Sequence, residues 1–322
     1  MDNNNLQNTN NNVENQSQQN IASEISLSYL ESLRITIKKQ ITTIIIIMSI
    51  LMLALLVATK GKAIGFIVFG IILTAMLVTL IPRKNRIKFD EAYKQYFVKR
   101  SLETIFTDLY YSPNQGIPRS VIGNTGMMNT GDIFSSNDYI QGKYKGILFR
   151  QSDVDIQEES TDSEGHTTYY TIFRGRWMIF DFNKPFKANI QVVQKGFGAN
   201  RVQFSFKKEE KFKKVKMESE DFNKRFKVYA QNELEAFYIL TPHIMEKMIK
   251  LDEDNNGRLL LCFVNNELHV GVNDGKDSFE YNNFFKPIDE QKELEKTSKD
   301  IKQITMFIDE LNLDNDLFRR EV

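Results

Sequence analysis

From Ile41 to Ala58 the chain carries no charged residue, and after Thr59-Lys60-Gly61-Lys62 a second apolar run extends from Ala63 to Ile81. Nothing else in the sequence restricts the fold as strongly. At 1.5 Å rise per residue, each run makes a helix close to the ~30 Å thickness of a bilayer's hydrocarbon core. The polar residues within them, Thr42, Thr43, Ser49, Thr74 and Thr79, can bond carbonyls of their own helix. Two such helices joined by four residues can only run antiparallel. The pattern therefore predicts a transmembrane hairpin over 41–58 and 63–81, integral to the cell membrane.

Basic residues set its orientation. Arg34, Lys38 and Lys39 precede the first run, and Arg83, Lys84, Arg86 and Lys88 follow the second, against Lys60 and Lys62 in the turn. This excess outside the turn places both termini in the cytoplasm. Forty residues precede the first run, which does not fit a cleaved signal peptide.

Composition divides the rest. The first twenty residues hold nine Asn and four Gln, and such a stretch buries too little apolar surface to order itself. Residues 1–24 are expected to be a disordered tail, 25–86 a juxtamembrane segment and hairpin, 87–137 a helical neck and loop, and 138–322 a soluble α+β domain. The neck rests on Phe89, Tyr93, Tyr96, Phe97, Leu102, Ile105, Phe106 and Leu109, which form a broad apolar stripe at helical spacing over 87–110. The glycines and prolines of 111–137 read as loop, with at most a short helical turn.

The domain is expected to be a mainly antiparallel sheet with covering helices. Extended segments are read at 138–158 and 168–183, with a polar loop at 159–167. Trp177 and its apolar neighbours load both faces of the second, as in a central strand. Shorter strands follow at 188–194, 202–206, 215–218 and 225–229. The strands 258–264 and 268–272 are joined by the tight turn Asn265-Asn266-Glu267. Thr241 caps a helix with Pro242 at its first position and Ile244, Met245, Met248 and Ile249 on its buried face. A final helix spans about 290–312, where Leu294, Ile301, Ile304, Ile308 and Leu311 form a stripe that packs on the sheet in preference to a coiled coil.

Chemistry is sparse. The formal net charge is zero, so no nucleic-acid partner is expected. Cys262, the sole cysteine, lies in an apolar run and reads as a buried hydrophobe. Asp252-Glu253-Asp254-Asn255-Asn256-Gly257 opens like a calcium loop, but position 12 is Phe263 where a bidentate Glu is needed. His166, His243 and His269 are scattered, without the i,i+4 spacing of a metal pair. Gly123-Asn124-Thr125-Gly126 is too short to imply a phosphate cradle. No catalytic residue, metal or cofactor is assigned. One charge feature remains. Lys207, Lys208, Lys211, Lys213, Lys214 and Lys216 could rest on anionic lipid, each contributing about 1 kcal/mol near the surface. The alternative is a solvated loop.

Two segments resemble a known family. Phe173-Arg174-Gly175-Arg176-Trp177-Met178-Ile179-Phe180-Asp181-Phe182-Asn183-Lys184-Pro185-Phe186 is similar to the "F-x-G … F-D-x-N-K-x-F" segment of the bacterial membrane proteins grouped as domain-of-unknown-function family 3137. So is 221–251, where Phe222, Arg225-Phe226, Val228-Tyr229 and Ala236 lead into Ile239-Leu240-Thr241-Pro242. The likeness covers roughly 85–290 and implies two N-terminal membrane helices, but no activity. The reading is thus a membrane-anchored interaction or scaffold module without catalytic activity, with a protein partner at the cytoplasmic face. The alternatives are a lipid-headgroup or small-ligand binding domain at the inner leaflet, or an enzyme whose site assembles only in three dimensions.

Overall fold

A computed structural model describes residues 25–61, 65–181, 187–197, 212–311 and 313. The chain divides into two compact units, Met1–Ser101 with Phe279–Thr297, and Leu102–Ser278 with Ser298–Val322.

In the first unit, Ser26 caps helix α1 (Leu27–Ala58), its Oγ accepting from the Tyr29 N–H at 3.2 Å. The buried side chains of α1, Leu30, Arg34, Ile37, Ile41 and Ile44, follow the helical repeat. Beyond them its surface is apolar and exposed. This helix is long and apolar enough to cross a membrane. Lys60 and Gly61 turn the chain with positive φ, and α2 (Gly65–Leu80) returns beside α1. Met52 of α1 fills the space that a Cβ on Gly70 would take. Helix α3 (Arg83–Tyr93) follows, continuing through a π-helical stretch (Lys94–Lys99) into α4 (Arg100–Glu103). Phe89, Tyr93, Tyr281 and Phe284 pack ring against ring, with centroids 5.0–6.1 Å apart. Tyr93 and Tyr96 donate to Glu293 and Glu290, both at 2.7 Å, and Lys94 pairs with Glu280 at 2.8 Å.

The expected neck helix over 87–110 is therefore corrected at both ends. It starts at Arg83 and stops at Glu103, and Leu109 belongs to strand β1 (Thr107–Ser112). The apolar repeat through Leu109 imitated a helix. The β-branched and aromatic run Thr107, Tyr110, Tyr111 favours pairing at a sheet edge instead.

Among the described residues, the second unit is built on nine strands in the order β1-β2-β3-β4-β9-β8-β5-β7-β6, and every pair is antiparallel. These are β2 (Ile133–Tyr144), β3 (Ile147–Thr161), β4 (Thr167–Asp181), β5 (Ile190–Gln194), β6 (Lys213–Val215), β7 (Phe226–Ala230), β8 (Arg258–Val264) and β9 (Glu267–Asn273). The α+β reading with an antiparallel sheet holds. The extended segment at 138–158 proves to be two strands, turned at Lys145-Gly146, where both residues have positive φ. Asn265 and Asn266 also have positive φ and make the expected tight hairpin between β8 and β9. The strand expected at 202–206 lies outside the described residues.

Strand alternation gives the sheet two buried faces. On one, Trp177, Ile179, Val154, Leu260 and Cys262 pack against Ile117, Ile122, Met127 and Met128, around the short helix α5 (Arg119–Gly123). Gly271 stands opposite Trp177, where a Cβ would press on the indole. The other face carries Phe180, which meets Phe307 of α9 (Glu290–Leu311) at 6.4 Å. Ile301, Ile304, Phe307, Ile308 and Leu311 are all buried. At ~2 kcal/mol each this burial is on the order of 10 kcal/mol before entropy, which is why α9 packs on the sheet. Leu294, in the predicted stripe, is exposed.

Short helices α6 (Glu220–Arg225) and α7 (Glu233–Ile239) flank β7. Helix α8 (Pro242–Asp254) has the expected Thr241 cap, bonded to the Ile244 N–H at 3.4 Å. Lys247 and Lys250 of α8 both pair with Glu310 of α9.

Candidate functional site

On the face that carries Phe180, polar side chains from three neighbouring strands meet below the surface. Asp153 of β3 lies opposite Arg176 of β4 and Asn137 of β2. Between Asn137 and Ile140 strand β2 advances three residues while β3 advances two, so one extra residue bulges out. Asp138 occupies that bulge with φ +54°, a conformation that Asp tolerates better than most residues. The bulge is what brings a second carboxylate beside Asp153. Asp277, just past the end of β9, supplies a third. One oxygen from each of Asp138, Asp153 and Asp277 lies within 4.8 Å of the others.

Hydrogen bonds fix the two inner carboxylates. Tyr111 donates to Asp138 Oδ1 at 2.7 Å, and Asn137 Nδ2 donates to Oδ2 at 2.9 Å. The Ser278 N–H donates to Asp153 Oδ2 at 2.7 Å. Arg176 donates to the Asp300 carbonyl at 2.6 Å and to Ser278 Oγ at 2.5 Å, and its Nε stands 3.9 Å from Asp153 Oδ1. Asp138 and Asp153 are 0% and 2% exposed, whereas Asp277 reaches solvent. Burial raises the Asp153 carboxyl well above the usual range; Arg176 opposes the shift, and Asp138 and Asp277 add to it.

Two observations mark this cluster as more than a closed network. Asp153 Oδ1 makes no hydrogen bond among the described residues, although it is buried. Gln151, one pleat along β3 on the same face and wholly buried, leaves both Oε1 and Nε2 without a partner among the described residues. Orphaned buried polar atoms cost about 1–3 kcal/mol each. The Arg176 guanidinium stands 3.9 Å from the carboxylates of both Asp153 and Asp300, while Asp138 and Asp277 add further acidic charge, so the arrangement suits either a bound proton or a bound cation.

A second polar group is occupied internally. Trp177 Nε1 donates to His269 Nδ1 at 3.3 Å, and His269 Nε2 lies 3.4 Å from Glu267, which also pairs with Arg150. Separately, a cavity of about 380 Å³ is lined by Tyr170, Ile172, Phe197, Arg258 and Asn273, among others.

Among the described residues, those singled out in the sequence are spread over several elements. Lys207, Lys208 and Lys211 lie outside the described residues. Lys213 and Lys214 are exposed on edge strand β6, and Lys216 is exposed with Glu220 at 3.7 Å. Lys38, Lys39, Arg83, Lys84 and Lys88 are exposed. Arg34 folds inward, pairing with Glu31 at 2.5 Å and donating to the Phe284 carbonyl at 2.6 Å. Arg86 is half-buried, 5.6 Å from the centre of the Phe284 ring. The calcium-like stretch at 252–257 ends helix α8, where Arg225 holds Asp252 and Glu253 at 2.8 and 2.6 Å. His166 and His243 are exposed, and His166 faces Asp162 at 3.3 Å. The Cys262 thiol is buried and its pKa is driven up by that burial, as expected of a core residue.

The carboxylate cluster escaped the sequence reading. Its only linear signal is an acid or base placed at an inward position of a strand, such as Asp153 before Val154 and Arg176 before Trp177. A central strand rarely buries such groups without a partner.

Residues 171–313 match the model of a family described as a protein of unknown function, DUF3137. The match is narrower at its start than the resemblance had implied, and runs further at its end. It contains Arg176 and Asp277 but neither Asp138 nor Asp153. No curated protein and no solved structure matches the chain.

Proposed function

We propose that the chain is a two-pass membrane protein whose helical hairpin holds the α+β domain at the cytoplasmic face of the cell membrane. There the domain acts as a non-enzymatic interaction or scaffold module. One observation carries the anchor. Ile46, Ile47, Ile50, Leu51 and Leu53 of α1, and Phe66, Val68, Phe69, Ile71 and Ile72 of α2, are all more than half exposed. An apolar surface so continuous suits lipid, whereas a water-soluble chain rarely exposes one. The helix α2 is shorter than a full span by itself, but the uncharged run it belongs to, Ala63 to Ile81, has the required length. Exposed Lys38, Lys39, Arg83, Lys84 and Lys88 flank the hairpin and favour cytoplasmic termini.

The interaction reading draws on the arm formed by β3 and β4. Strand β9 begins to pair opposite Arg176, so among the described residues Thr167 to Phe173 of β4 pair only with β3. Tyr169 and Tyr170 are exposed there. A strand edge left unpaired among the described residues offers backbone N–H and C=O groups to an added strand, and the neighbouring cavity offers a place for its side chains. The occupant we favour is an extended segment of a protein partner. A photo-crosslinking residue in place of Tyr170, in cells, should give a discrete adduct to one protein. The same residue at exposed Glu246 on α8 should give none. Absence of an adduct at Tyr170, or indistinguishable patterns at both positions, would count against the module.

A further inference from the structure

We propose that Asp138, Asp153 and Asp277, with the Gln151 carbonyl, form a binding site for one divalent cation of calcium's size. The three carboxylate oxygens span no more than 4.8 Å. Ligands around a single Ca²⁺, at about 2.3–2.6 Å from the ion, reach up to about 5 Å from each other, so one ion can touch all three. Mg²⁺ demands a near-ideal octahedron at about 2.1 Å and gives up its waters reluctantly, so a buried site built mostly from protein oxygens suits it less.

Second, the site contains oxygen that no hydrogen bond uses among the described residues. Asp153 Oδ1 and Gln151 Oε1 are buried without a hydrogen-bond donor among the described residues. Gln151 and Asp153 share a face of β3, and Ile140, which pairs with Gln151, borders the bulge that holds Asp138. Tyr111 of β1 pairs with Ile140 of β2 and reaches Asp138, which places these residues in adjoining rows of the sheet. Third, there is a way in. Asp277 is exposed while its partners are not, so an ion enters at Asp277 and water completes the coordination on that side. Arg176, 3.9 Å from Asp153, offsets part of the mutual repulsion of the carboxylates before an ion arrives.

The test uses the full chain in detergent micelles, stripped with chelator. Tyr111 touches Asp138, so Tb³⁺ bound in the site should emit on tyrosine excitation. Added Ca²⁺ should displace that emission, and Tyr111→Phe should reduce it. Ca²⁺ should also raise the thermal midpoint by about 5 °C. Asp277→Asn removes a solvent-facing ligand and should weaken Ca²⁺ binding at least about tenfold, each variant being read against its own ion-free midpoint. Absence of Ca²⁺-displaceable emission overturns the site, as does Ca²⁺ affinity unaltered by Asp277→Asn. A larger midpoint shift with Mg²⁺ than with Ca²⁺ overturns the choice of ion.

Discussion

Replacing Arg176 with leucine is expected to destabilise the sheet unit by about 3 kcal/mol, lowering its thermal midpoint by roughly 6–12 °C. The guanidinium donates to the Asp300 carbonyl and to Ser278 Oγ, and it stands beside the carboxylates of Asp153 and Asp300. Leucine fills much of the volume but leaves that carbonyl and hydroxyl without their donor. It also removes the positive charge nearest a carboxylate that is almost wholly buried. Asp153 can take up a proton, and this caps the penalty below the cost of an isolated buried charge. Trp177, adjacent in sequence and the chain's sole tryptophan, reports unfolding through its fluorescence. Arg176→Leu combined with Asp153→Leu should recover part of the loss, because replacing both members of a buried pair is far milder than removing one. A single variant within about 1 kcal/mol of the parent would mean that the pair does not hold the sheet together.

The second large effect lies one residue earlier. Gly175 pairs with Val154 across β3 and β4 and has φ +150°. A Cβ there would run into the Val272 carbonyl oxygen and come within 3.0 Å of Asp274 Oδ1. The carbonyl belongs to the backbone where β9 begins to pair with β4 at Arg176 and Val272, so it cannot swing aside as a side chain would. Gly175→Ala should cost about 3 kcal/mol or more, from backbone strain and steric overlap together. Gly165 provides the comparison, because it has φ +85° and nothing within 4 Å of where a methyl group would stand. Gly165→Ala should cost about 1 kcal/mol, through conformation alone. Equal midpoints for the two variants would show that close approach at Gly175 is unimportant.

What could be read in the sequence, and what could not, follows from how local each signal is. The Asn265-Asn266 turn was legible because asparagine tolerates positive φ and both flanking strands are strongly apolar. The Thr241-Pro242 helix start was legible for a similar reason, since a cap is made by residues adjacent in the chain. Lys145-Gly146 was missed because lysine seldom takes φ +49°, and only pairing on both sides forces it there. Leu109 continued the neck's apolar repeat, yet the edge of the sheet recruited it. The carboxylate cluster was the least legible feature. Residues 138, 153 and 277 lie far apart in the chain, and they meet only through the register of β2 on β3 and a bulge that no local pattern announces. The lysine stretch stood out because it is contiguous in sequence, and Lys207, Lys208 and Lys211 lie outside the described residues.

The account rests most heavily on the membrane hairpin and the side on which the domain lies. The most direct measurement fuses a reporter active only in the cytoplasm, and in a separate fusion one active only outside, after Val322. The hairpin predicts activity from the cytoplasmic reporter alone, and a switch to the external reporter when Ala63 to Ile81 is deleted, since one crossing then remains. Activity from the external reporter on the intact chain would contradict the account and place the sheet domain on the other side of the membrane.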